Sequence, residues 1–276
     1  MRTTEQQRLV EDRLWELIEP LLPGPPPPRG PGGRPRIDDR AALEGILFVL
    51  STGCRWRDLP PQLGCGSGHT AWRRLRAWQD AGVWDRLHRL VLDELSDAAV
   101  LDWSRALHRC GVGAREKGGE LTGRNPTDRG KHGSKYHLLC DANGLPLHAL
   151  ISGANTHDSM LFEPLLDTNP AVRGRRGHPG RPRRRPDKLH ADKGYDYRRC
   201  RTYLTRRGIQ VRIARRGIED KSKLGRVRWV VERTISWLLR FKRLGLRYDR
   251  TERTLAPLLT LAMVLINLRR LVQKEF

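Results

Sequence analysis

Acidic residues are scarce beside basic ones in this 276-residue chain: Asp and Glu number 31 against 53 Lys and Arg, a formal net charge of +22. A positive surplus of that size implies a polyanionic partner, because each phosphate neutralised by a side chain releases condensed counterions. Aromatic residues are also few, at 6%, with Phe 4 and Tyr 5. So thin and unclustered a set argues against an RNA binder built on stacking platforms. The five cysteines, Cys54, Cys65, Cys110, Cys140 and Cys200, are odd in number and scattered. With no signal peptide ahead of them they read as thiols of a reduced, cytoplasmic protein rather than a disulfide framework. Cys54, Cys65 and His69 lack the paired Cys-x-x-Cys element of a zinc knuckle. No uninterrupted apolar run is long enough to span a bilayer, and the best stretch, Leu258 to Leu265, is far too short. A hydrophobic content of 38% still excludes a wholly disordered chain.

What is present divides the chain in two. Leu9, Leu14, Leu17, Ile18, Leu21 and Leu22 fall at helical spacing within Glu5 to Leu22, and the helix stops at Pro23. The run PGPPPPRGPGGRP from Pro23 to Pro35 reads as an extended linker or arm. A second helix covers Asp39 to Thr52, stopped by Gly53. A third, TAWRRLRAWQDAG, puts Trp72, Leu75 and Trp78 on one stripe and splays Arg73, Arg74 and Arg76 outward. Helix, connection and Arg-rich helix outline a helix-turn-helix-like unit, with a small helical bundle carrying a basic face as the alternative. A further helix from Trp84 to Leu95 completes a helical domain over residues 1–97, with the Pro/Gly linker at 23–36.

Beyond residue 97 the periodicity changes. Strands are expected over Leu101–Gly113, Ser134–Cys140, Leu145–Ser152, Lys188–Ala191 and Ile209–Ala214, with Asp141-Ala142-Asn143-Gly144 as a hairpin turn. Helices are expected over Asp158–Leu166, Tyr197–Arg206, Arg228–Leu239 and Leu255–Leu271. Residues 98–276 therefore read as an α/β (α+β) domain with a mixed sheet flanked by helices. Between two of these elements, Arg173 to Pro186 form a loop so basic that it must face solvent or phosphate; Arg181, Arg183, Arg184 and Arg185 are its densest part.

Phosphodiester cleavage without a covalent intermediate is commonly run by two divalent cations about 3.5–4 Å apart, held by carboxylates from separate elements. Two residues suit that chemistry as catalytic and metal-binding groups. Asp192 follows the strand Lys188–Ala191 at its carboxyl end, where ligand sites gather. Glu232 stands 40 residues later on the helix RWVVERTISWLLRFKRLG. Taken singly, Asp192 is an ordinary turn residue and Glu232 an ordinary surface carboxylate.

Together, ADKGYD and RWVVERTISWLLRFKRL resemble the second and third signature blocks of DDE transposases of insertion sequences, in the branch near the IS-five group. The block NPTDRGKHGSKYHLLCDANGLPLHALISGANTHDS is similar to the segment between the first two acidic positions. GRPRIDDRAALEGILFVLSTGCRWRDLP and TAWRRLRAWQDAGVWDRL resemble that branch's DNA-binding module. The likeness covers residues 10 to 272. It implies a ribonuclease-H-like domain, dependence on Mg²⁺ (or Mn²⁺), and cleavage and strand transfer at terminal inverted repeats. It also implies double-stranded DNA, element ends and target, as the partner of a homodimer or larger synaptic complex, nucleoid-associated in the cytoplasm. One departure stands out. The family's first acidic residue falls on Arg109 here, and a guanidinium has only donors, so it cannot ligate a cation. Asp102 is seven residues up the strand, about 23 Å away at roughly 3.3 Å per residue. Glu116 and Asp128, in the loop beyond, could swing in as substitutes. Two readings follow: an active two-metal transposase, or a catalytically impaired descendant that only binds DNA. Residue 109 decides between them, and if it occupies the carboxylate position its side chain must point toward Asp192 and Glu232.

Overall fold

In the computed structural model, residues 9–25, 35–115, 118–126, 128–178, 180–215, 217 and 221–273 are described, the side chains of 114–115 and 221–228 excepted. The N-terminal region is helical: α1 (Asp12–Ile18), α2 (Asp39–Thr52), α3 (Gly68–Asp80) and α4 (Val83–Asp97). Local chemistry sets the ends of these helices. The Asp38 carboxylate accepts from Ala41 N to start α2, and Gly53 ends it in the left-handed region at φ 74°. Ser67 caps α3 by accepting from Thr70 N. The connection between α2 and α3 runs over residues 53–67, far longer than the 3–4-residue turn of a helix-turn-helix unit. Its folding is tight at Gly68, where a Cβ would sit 1.5 Å from the Trp56 carbonyl oxygen.

The following elements are β1 (Ala106–Arg115), β2 (Gly123–Arg124), β3 (His132–Asp141), β4 (Pro146–Gly153), α5 (Phe162–Asp167), β5 (Lys188–Ala191), α6 (Arg198–Arg206), β6 (Gln210–Ile213), α7 (Lys221–Arg240), α8 (Lys242–Gly245), β7 (Leu246–Arg247) and α9 (Glu252–Val272). The sheet has the order β2-β3-β1-β5-β6, with β4 on β3 and β7 on β1. It is mixed: β1–β3 and β3–β4 are antiparallel, whereas β1–β5 and β5–β6 are parallel. This is the expected fold class, a mixed sheet flanked by helices behind a helical region.

Beyond residue 97, two boundaries differ most from the pattern in the sequence. The first strand starts at Ala106 rather than Leu101, because the Asp102 carboxylate accepts from Ser104 N at 2.8 Å and turns the chain there. The long helix begins at Lys221, about two turns before the apolar spacing at Arg228 announces it. The hairpin between β3 and β4 forms as expected. Asp141, fully buried, accepts from Asp102 N, Asn143 N and Leu145 N at 2.9, 2.9 and 2.7 Å, and Gly144 takes φ 87°.

The hydrophobic core runs without a break from α1 through the sheet to α9. α9 is long and apolar enough to cross a membrane, yet it is a core helix: 67% of its apolar window is buried, and it packs on α4, α3 and β4. Asn267 on it donates to Pro146 O at 3.0 Å. A second tie joins α8 to the helical region. The Arg243 guanidinium and Asp249 carboxylate, each 3% exposed, pair at 2.8 Å; Arg243 also donates to Cys54 O, and Trp56 Nε1 to Asp249.

Candidate active site and arginine surface

The parallel pairing of β1 with β5 matches Ala106 to Leu189 and Leu107 to His190. Continued two residues, beyond the end of β5, this register matches Arg109 to Asp192, which caps the turn after β5 by accepting from Gly194 N at 2.8 Å. α7 lies across the same face of β1. A Cβ on Gly111 would meet Ile235 Cγ2 at 2.6 Å, so the glycine two residues past Arg109 is what lets the helix come this close. The result is an ion pair: Arg109 Nη1 stands 2.5 Å from Glu232 Oε1. Strand alternation is obeyed. Arg109 and Gly111 face α7, whereas His108 is 2% exposed on the other side, its ring 4.4 Å from that of Tyr195 and 5.5 Å from that of Phe162.

That opposite face holds a polar group the sequence pattern does not single out. Asp158 pairs with Lys135 at 2.6 Å and stands near the Cys110 thiol, whose pKa is pushed up by burial first and then by Asp158. The buried Tyr195 phenol is pushed well up too, by burial foremost; Asp158, Cys110 and Asp192 add to that rise and Arg109 opposes it, so all four stand within electrostatic range of one ring. In the sequence, Asp158 is marked only by the tetrad Thr156-His157-Asp158-Ser159. Burial holds His108 well below the usual imidazole range and His137 at about 4.

The donor set does not fit a two-cation clamp. One Glu232 oxygen is taken by a guanidinium, and the position on β1 level with Asp192 offers no lone pair. Among the described residues no group of three or more His, Cys, Asp or Glu side chains is placed to hold a metal ion. Asp102 sits at the far end of β1, bound to Ser104 N. Asp128 is exposed in a turn, 3.7 Å from Lys131, and Glu116 lies outside the described residues.

The arginines expected on DNA divide by what they touch. Arg73 is exposed. Arg76 stacks 4.4 Å over Trp72, which stacks in turn on His69, a column along the outer face of α3. Arg74 does not splay outward as the helical spacing suggests: it turns in to pair with Asp39 and donate to Ile37 O at 3.2 Å. The basic loop is exposed, as expected, but stapled to the end of α4, where Arg173 binds Asp93 through both N and Nε and Arg176 N donates to Asp97. Arg183 pairs with Asp187 at 2.5 Å over the Trp103 ring, and Arg185 donates to Arg207 O. Arg181 and Arg184 are exposed and, among the described residues, pair with no carboxylate.

Comparison with known proteins agrees with this outline. Residues 10–88 match the family described as "Putative transposase of IS4/5 family", and residues 100–267 the family "Transposase DDE domain". An "Insertion element IS402 uncharacterized 16.2 kDa protein" of Burkholderia cepacia is 63% identical over 36% of this chain and 67% of its own length. A "Putative transposase for insertion sequence element IS402" of the same species is 49% identical over 50% of the chain and 64% of its own length. The chain thus spans about two thirds of the length of these relatives. A solved structure, the Mos1 transposase paired-end complex with left transposon end, is 12% identical and covers 79% of this chain and 81% of its own. Its TM-score to this chain is 0.25. The DDE match spans more than half the chain and takes in β1, the end of β5 and all of α7, and by it the chain belongs to the DDE transposases, in their IS4/5 branch.

Proposed function

We propose that this chain binds the terminal inverted repeats of an insertion sequence, and target DNA, as a transposase whose metal-dependent cleavage and strand transfer are blocked at residue 109. The family's chemistry depends on divalent cations, Mg²⁺ or Mn²⁺, held by three carboxylates. Here Asp192 and Glu232 supply two, and the Arg109–Glu232 ion pair is the observation that carries the reading. A guanidinium in that place repels a cation and engages the carboxylate that would receive it.

The grip on DNA falls to Arg73, the Arg76–Trp72 column, Arg181 and Arg184, whose guanidiniums offer phosphates paired donors. Double-stranded DNA in the cytoplasmic nucleoid is the partner, engaged by a homodimer or larger assembly. The helical region to residue 97 serves as the DNA-binding part and residues 98–276 as the catalytic-type part, although one core joins them.

The test uses duplexes carrying the element's own ends. Binding is expected to be tight, steeply salt-dependent and unchanged by chelator, with no nicking in Mg²⁺ or Mn²⁺. Robust Mg²⁺-dependent cutting by the unmodified chain overturns the block. Alanine substitution of Asp128 and of Glu116 then identifies the missing ligand.

A further inference from the structure

Four arginines converge on a cavity of about 540 Å³ between α7 and the end of α9. Arg233 and Arg240 come from α7, Arg269 and Arg270 from the last turn of α9; Trp237 and Asn143 add an aromatic wall and an amide. Among the described residues, no Asp or Glu lines the cavity and none of the four guanidiniums pairs with a carboxylate. Guanidinium groups cannot shed their charge, so four of them around one space repel unless an anion enters. One is already set in place. Arg233 lies between the Trp229 and Trp237 rings, 4.6 Å from each centroid, and donates to Asn143 O at 2.7 Å, while its buried Nε has no hydrogen-bond partner.

The position of this cavity indicates its ligand. Arg233, Trp237 and Arg240 form an i, i+4, i+7 stripe on α7. Glu232 precedes Arg233 by one residue, so the stripe opens about 100° round the helix from the ion pair. From Glu232 to Arg240 is about 12 Å along the axis at 1.5 Å per residue. That is the rise of three or four nucleotides of a duplex strand at about 3.4 Å each. We infer that the cavity is a phosphate subsite for the DNA strand that passes Glu232, taking backbone phosphates three or four nucleotides from it. The inference rests on the reading of the chain as a DNA-binding protein.

Arginine modification by phenylglyoxal, mapped by mass spectrometry on the full chain, tests it. A short duplex is expected to protect Arg240, Arg269 and Arg270, whereas inorganic phosphate at equal phosphate concentration does not. The triple variant R240Q/R269Q/R270Q, its folding checked by thermal melting, should bind all sequences more weakly. Its log–log salt slope should be shallower by about 2.7, at roughly 0.9 per lost contact. Protection of Arg73, Arg181 and Arg184 without protection of the cavity, together with an unchanged slope, overturns the subsite and leaves DNA binding standing. Equal protection by inorganic phosphate assigns the cavity to a small anion and also overturns it. Failure of the unmodified chain to bind any duplex removes both readings.

Discussion

Replacing Arg109 by aspartate is the perturbation on which the functional reading turns. The ion pair it removes contributes little stability. Glu232 is 46% exposed and Arg109 27%, so the attraction is screened, and exposed pairs of this kind are worth about 0.2–1 kcal/mol. The new carboxylate instead stands level with Asp192 and facing Glu232. Like charges at about 4 Å cost on the order of 1–4 kcal/mol between the water and protein-surface limits. Arg109→Asp should therefore fold with a lowered Tm in chelator. A divalent cation binding only the folded state reverses the loss by about 2.7 kcal/mol at a hundredfold excess over Kd. At about 2–4 °C per kcal/mol for a chain near this size, that is a rise of roughly 5–10 °C. Thermal melting with and without Mg²⁺ reads it directly, and Arg109→Asp combined with Glu232→Gln should lose most of the rise. The reasoning fails if the unmodified chain gains the same Mg²⁺-dependent Tm, or if Arg109→Asp gains none.

Acid should destabilise the fold well before carboxylates are exhausted. Burial lowers His88 to about 3 and His137 to about 4, from 6.5. The stability tied to these neutral imidazoles is intact above pH 6.5 and lost as pH falls toward 4, about 3 kcal/mol for His137 alone. Asp141, raised by burial to about 6, runs the other way between pH 6 and 4 and offsets part of it. Denaturant midpoints at pH 7, 5.5 and 4.5 should fall progressively, and a flat series would contradict the burial of these rings. Asp249→Ala should cost about 3–5 kcal/mol in denaturant melts, because it strands the Arg243 guanidinium in the core; a loss below about 1 kcal/mol would mean that Arg243 reaches water.

Much of this site was legible in the sequence because its parts obey local rules. The alternation of His108, Arg109 and Cys110 on one strand, the strand end before Asp192 and the helical setting of Glu232 are short-range patterns; the fold pairs Arg109 with Glu232 and leaves Asp192 just past the end of β5. What stayed hidden depends on distant partners. Arg74 is indistinguishable from Arg73 and Arg76 in helical spacing, but Asp39 lies within reach of it alone of the three. The Trp56–Asp249 bond joins residues 193 apart. Asp158 acquires significance only when Lys135 and Cys110 of adjacent strands meet it. The start of α7 has no apolar spacing at all over Lys221 to Arg226, so periodicity finds the helix only where it meets the sheet.

On the proposed reading, the charge at the site also bears on how cleavage is lost while the fold and the grip on DNA are kept. Three clustered carboxylates need cations, for without them their repulsion opposes both the packing of α7 on β1 and the approach of a phosphodiester. With Arg109 in place the cluster carries two negative charges and one positive, and the ion pair closes the face without a metal. On the proposed reading, phosphates then meet a nearly neutral surface flanked by the guanidiniums of α7 and α9. A substitution that removes a ligand by leaving a neutral side chain would abolish metal binding just as well, but it would leave Asp192 and Glu232 to repel the strand. On that reading, arginine at 109 makes DNA binding independent of the cation that a carboxylate there would help to hold.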